Sequence, residues 1–225
     1  MRILLPCLWL LGLGLASASP LLVEGRYTEA YEYGRTTGGA AGWLLAAHAA
    51  NLQANYGTQD PKEVAEWFAR GQEAAQRALE LGPRSAEAYF ELARAIAGQV
   101  IRKNLLEQAL AANAVRGHLH QALQLKPALA EARAALALWH LSLHRTRVGW
   151  LLGADLKRVR PLFEEAVRLE PGSVLIRVWY ALALAELGAV ADARLQLELA
   201  LRLTPRNAAE RVEQGFAKER LQNLP

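Results

Sequence analysis

The sequence is poor in cysteine, in aromatic residues, in charge of one sign and in long apolar runs, and each shortage excludes something. Its one cysteine, Cys7, lies near the N-terminus. Downstream of it there can be no disulfide, thiol nucleophile or thiolate metal ligand. Aromatics make up 7% of the chain, and β-branched residues form no alternating runs, so a sheet is not expected. The formal net charge of +4 gives no broad basic face, and no nucleic-acid reading motif is visible, so nucleic acid is not an expected partner. There is no G-x-S-x-G elbow, no H-E-x-x-H and no phosphate loop following a strand. RTTGGAAG (35–42) reads as a joint ahead of the helix at Trp43. His140 and His144 share a helix face but have no neighbouring acid or cysteine, and Arg145 adds like charge. Neither enzyme chemistry, nor a cofactor, nor a metal is expected.

The N-terminal stretch differs from the rest. Arg2 precedes an apolar run from Ile3 to Leu15, followed by Ala16-Ser17-Ala18. A positive start, a short apolar core and small residues read as a secretory signal cleaved after Ala18. The run falls short of the ~20 residues a spanning helix needs, and Pro6, Gly12 and Gly14 interrupt it. The expected location is therefore periplasmic or extracellular.

Apolar residues reach 52%, with Ala and Leu dominant, a composition suited to closely packed helices. Four segments end alike: ALELGPRS, ALQLKPAL, AVRLEPGS and ALRLTPRN, with Pro83, Pro127, Pro171 and Pro205. In each, an amphipathic helix meets a proline that cannot continue it, and a new helix starts. Successive prolines are 44, 44 and 34 residues apart. Periods of this size mark stacked units, each too small to bury its apolar face alone.

The unit Val174 to Asn207 resembles the tetratricopeptide repeat (TPR) in length and at its small-residue positions. Ala181 and Ala193 stand where paired helices cross, Gly188 at the turn between them, Ala200 on the second helix, and Pro205 at the close. The unit from Ala86 offers Tyr89, Leu92, Ala93, Ala122 and Pro127, and that from Ala130 offers Leu136, Ala137, Ala166 and Pro171. Gly39–Asn55 and Pro61–Leu81 read as a further pair, and EGRYTEA (24–30) as part of a truncated one. The resemblance implies an all-α fold: a right-handed superhelical stack of TPR-like hairpins, or α-solenoid, of about four units plus a capping helix. The expected divisions are a signal peptide (1–18), an N-terminal segment with a truncated repeat (19–38), the repeat domain (39–207) and a charged C-terminal cap (208–225). This fold is a scaffold that binds many unrelated things, so it implies binding without naming the ligand.

Two units carry 10 extra residues between their helices, around 98–115 and 144–160. Insertions in such stacks emerge on one face, often the binding face. The second holds Arg145, Arg147, Lys157, Arg158 and Arg160 against Asp155 alone, around the apolar Val148-Gly149-Trp150-Leu151-Leu152. Such a segment is suited to an anionic partner, to a membrane surface, or to nothing beyond a solvated hairpin. The VGWLLGA run before a basic helix is similar to bacterial envelope proteins related to the T-component of TRAP transporters and to the regulator of microtubule dynamics group.

Helical register places Phe90, Arg94, Leu138, Val178 and Leu182 on the concave groove, an apolar surface that must be filled or occupied. Together with Arg145, Arg147, Trp150, Lys157 and Arg158 these are the candidate contacts. Two functions fit best: a scaffold docking a protein or peptide, including a transporter component, and a transporter's accessory protein binding an apolar or anionic small molecule such as an organic acid or lipid; an unrecognised hydrolase is the least favoured third.

Overall fold

The computed structural model describes residues 19–100, 105–144 and 149–224; the expected signal peptide, Arg145 and Arg147 lie outside them, as does the Trp150 side chain. Among the described residues every regular element is helical: α1 (Pro20–Glu24), α2 (Tyr27–Thr37), α3 (Gly39–Leu52), α4 (Pro61–Leu81), α5 (Ala86–Gln99), α6 (Leu105–Leu125), α7 (Ala130–His144), α8 (Val159–Leu169), α9 (Val174–Glu186), α10 (Val190–Arg202) and α11 (Ala208–Asn223). No helix among them is long and apolar enough to cross a membrane.

The proline signatures mark the unit boundaries. After each comes a new helix, and three of the new starts are capped by a side chain. Ser85 Oγ accepts from Ala88 N (3.1 Å), Ser173 Oγ from Ile176 N (3.3 Å) and Asn207 Oδ1 from Glu210 N (2.9 Å). Each cap satisfies one of the free N–H groups of a helix start and contributes about 1 kcal/mol. Two copies of the repeat share a further device. Arg133 and Arg177, 44 residues apart, each donate twice to the carbonyl of the preceding turn proline, Pro127 or Pro171. Each also reaches its unit's second helix, at Glu165 (2.7 Å) and Gln196 (3.0 Å).

Small residues sit where the pattern requires them. Ala93, Ala122, Ala137, Ala166, Ala181, Ala193 and Ala200 are all buried, which lets paired helices touch. Gly188 turns between α9 and α10 with φ +78°. Phe163 is fully buried and stacks on Tyr180 at 5.1 Å, burial that contributes about 1.5–3 kcal/mol. At the N-terminal end α2 and α3 meet backbone to backbone. A methyl group on Gly34 would stand 2.5 Å from the Gly42 carbonyl oxygen. Helix α3 has little polar face because α2, α4 and α5 cover it.

The two inserted stretches fold differently. The first extends α6 to 21 residues. The second forms two 3₁₀ turns, Gly149–Leu152 and Leu156–Arg158. Arg116 joins them, donating from α6 to the Leu152 carbonyl and lying over the Trp139 ring at 5.4 Å. Trp139 Nε1 in turn donates to Ala112 O at 2.8 Å.

The charged C-terminal helix does more than end the stack. It packs on α9 and α10 and continues to α1. Ala209 joins the N-terminal core with Leu22 and Tyr27, and Arg211 Nη2 donates to the Val23 carbonyl at 2.8 Å. The last helix therefore links the C-terminal unit back to the N-terminal one.

Candidate functional site

A cavity of about 590 Å³, partly open to solvent, lies between α4, α5, α6, α7, α9 and α11. The 44-residue period builds much of its wall. Arg94 and Leu138 occupy equivalent positions in α5 and α7; Ala135 and Trp179 do so in α7 and α9; so do Gly98 and Ser142. Ala112, Val115 and Leu119 of α6 and Phe68 of α4 add apolar surface, while Glu213 and Phe216 of α11 complete the wall. Its volume and apolar character fall within the range of small-molecule sites, about 300–1,000 Å³.

One side is shaped by a break in α3. The helix widens into a π-helical turn over Gln53–Gly57, where Asn55 Nδ2 donates to Asn51 O at 2.7 Å. Such turns insert a residue and re-aim those that follow. Here Tyr56 donates its hydroxyl to Glu213 Oε1 at 2.7 Å, across 157 residues of sequence. Trp179 stands on the same cavity wall as Glu213.

Beside the cavity lies a buried polar group. Glu91, 3% exposed, accepts from His48 Nδ1 (2.6 Å), Asn51 Nδ2 (2.8 Å) and Arg94 Nη1 (3.2 Å). Burial opposes its ionisation, but Arg94, His48 and Asn51 outweigh that and hold the carboxyl at about 2. Glu131 faces the same cations, yet burial pushes it above the usual carboxylate range. Burial also pushes Glu213 up, against the Tyr56 hydroxyl that donates to it. Arg94 is thus neutralised by Glu91, while Glu213 has no ion-pair partner among the described residues.

Of the residues expected on the groove, Arg94 and Leu138 line the cavity. Phe90 and Val178 do not: both are enclosed between helices, in two different core clusters. Leu182, the third copy of the Arg94 position, is exposed and outside the lining. Lys157 and Arg158 are exposed on the second insertion. That insertion is pinned to α7 by Asp155 N, which donates to His140 Nδ1 at 3.1 Å. His140 is a packed, hydrogen-bonded core histidine, and among the described residues no three acids, histidines or cysteines converge as a metal site. Tyr56, Glu213 and Phe216 are cavity residues that periodicity does not reveal.

No family model matches the chain, and no curated protein matches it. Among solved structures it is similar to a thermophilic TPR protein from Thermus thermophilus, with a TM-score of 0.55 and 18% identity over 86% of this chain and 99% of that one. The fold is accordingly an α-solenoid of TPR-type hairpins. At that identity the likeness speaks to fold alone.

Proposed function

We propose that this chain is an exported, non-catalytic TPR-type scaffold of the cell envelope that docks a protein or peptide partner on its inserted segments. The observation that carries this reading is the surface they present. Leu106 and Leu110, one turn apart on the extended α6, and Leu151 on the 3₁₀ turn are largely exposed, with Lys157 and Arg158 nearby in sequence. Exposed large apolar side chains on such a module are suited to a partner, and charge nearby sets its specificity. The signal-like N-terminus supports export. The VGWLLGA run supports a narrower kinship with envelope TPR proteins of the transporter T-component kind, which would make a transporter component the partner. The test is photo-crosslinking in the envelope from position 110, with position 77 on α4 as control. Crosslinks from 110 that vanish when Lys157 and Arg158 are changed to Glu support the reading. Equal crosslinking from both positions, or indifference to charge reversal, counts against it.

A second reading rests on a different observation, the cavity under α11. Its volume and apolar walls suit a small molecule, so the chain also fits an accessory protein that carries one. An organic acid is the less suited ligand, because the one arginine on the cavity wall among the described residues is already paired with Glu91.

A further inference from the structure

Among the described residues the cavity wall carries two charged side chains, Arg94 and Glu213, and their situations differ. Arg94 Nη1 bonds both oxygens of Glu91, at 3.2 and 3.3 Å, and the Glu131 carboxyl also lies within its field. A second anion entering beside Arg94 would meet a guanidinium whose charge is already compensated, with the carboxylates of Glu91 and Glu131 behind it. Glu213 is 8% exposed and accepts from a neutral donor, the Tyr56 hydroxyl, at 2.7 Å. A buried carboxylate without a cation is costly, and a ligand supplying positive charge relieves that cost. The surrounding wall is aromatic: Tyr56, Phe68, Trp139, Trp179 and Phe216. Aromatic faces attract cations through their quadrupole, most strongly where water is excluded.

Resting on the small-molecule reading, we propose that the cavity is a site for an organic cation, an apolar body bearing one ammonium group, with the Glu213 carboxylate as counter-ion and the aromatic wall around it. The apolar body lies against Leu119 and Leu138. Tyr56 holds the carboxylate in place, so the site exists only when α11 is docked. This assigns α11 a ligand-binding role in addition to closing the stack.

The test uses three probes with one apolar body and three heads: 4-tert-butylbenzylamine, 4-tert-butylbenzoate and 4-tert-butylbenzyl alcohol. Binding to the intact chain is read by isothermal titration calorimetry and by tryptophan fluorescence. The ammonium probe is expected to bind at least about tenfold tighter than the other two, the size of effect a partly desolvated charge pair supports. Glu213→Gln should remove that preference while leaving alcohol binding within about twofold, and Leu138→Trp should weaken all three by filling the cavity. Carboxylate binding equal to or tighter than ammonium binding, measured on the unmodified chain, overturns the proposal while leaving a ligand cavity in place. So does an ammonium affinity indifferent to Glu213→Gln in a variant whose circular dichroism and melting match the parent. Failure of all three probes to bind overturns the proposal and the small-molecule reading together.

Discussion

Replacing Glu91 with alanine removes the anion around which the polar group beside the cavity is organised. His48 Nδ1 at 2.6 Å and Arg94 Nη1 at 3.2 Å lose their carboxylate acceptor at once, and Asn51 Nδ2 keeps only the backbone carbonyl of residue 91 at 2.9 Å. The Arg94 side chain is only 15% exposed, so its charge cannot recover water without rearrangement. Taking one partner from such a pair costs about 3–5 kcal/mol. The carboxyl's own titration gives a similar size: held at about 2 against an ordinary 4.5, it contributes about 3 kcal/mol. Because its folded value is depressed, this contribution is present above 4.5 and is lost as pH falls from there towards about 2. Urea unfolding followed by circular dichroism at neutral pH measures the loss. The double change Glu91→Leu with Arg94→Leu removes both charges and should recover most of it, since an apolar pair of similar volume is often as stable. A single-variant cost below about 1 kcal/mol, or a double variant no better than Glu91→Ala, would refute the reasoning.

Other perturbations probe separate parts of the structure. Burial, then the neighbouring Arg158, depress the pKa of His140, whose neutral ring accepts from Asp155 N–H. The unfolded chain therefore takes up this proton first, and stability should decline as pH falls below the ordinary 6.5. Comparing urea midpoints at about pH 7.5 and about pH 5.5, His140→Asn should flatten that decline; an unchanged slope contradicts the assignment. Gly34→Ala places a methyl 2.5 Å from the Gly42 carbonyl oxygen and 2.7 Å from Ala46 N. It should cost about 1–3 kcal/mol and lower Tm by several degrees, whereas an unaltered Tm means the α2–α3 approach is looser than described. Glu210, buried at the start of α11, accepts from Arg206 N (2.8 Å) and Nη2 (2.6 Å). Glu210→Ala should loosen α11 by about 1–3 kcal/mol, seen as faster limited proteolysis within 208–223; an unchanged cleavage rate contradicts that role.

Much of the fold is legible in the sequence because its cause is local. Pro83, Pro127, Pro171 and Pro205 stop helices wherever the chain goes afterwards, and alanine at 181, 193 and 200 reports close approach between neighbours in sequence. The groove is less legible. Phe90 and Val178 share a register, and both lie under neighbouring helices, because a helical period fixes which residues share a face but not which neighbour covers it. Arg94 and Leu138, four residues further along their helices than Phe90 and its equivalent, reach the cavity. The contact of Tyr56 with Glu213 has no local signature, being a meeting of the second half of a broken α3 with the last helix. One clue does exist: on α11, Glu213 stands on the stripe Ala209, Glu213, Ala217, a carboxylate where the helix turns its buried face. Trp179 reads as core by spacing, and it is a wall of the cavity.

Native mass spectrometry of the chain purified gently from the envelope of its own host tests the central claim most directly. The account predicts a polypeptide beginning at Ser19 that carries a partner protein or a small molecule, released on denaturation, with any small-molecule adduct lost in Leu138→Trp. A bare polypeptide still beginning at Met1, with nothing released on denaturation, would contradict both the proposed export and the proposed binding role.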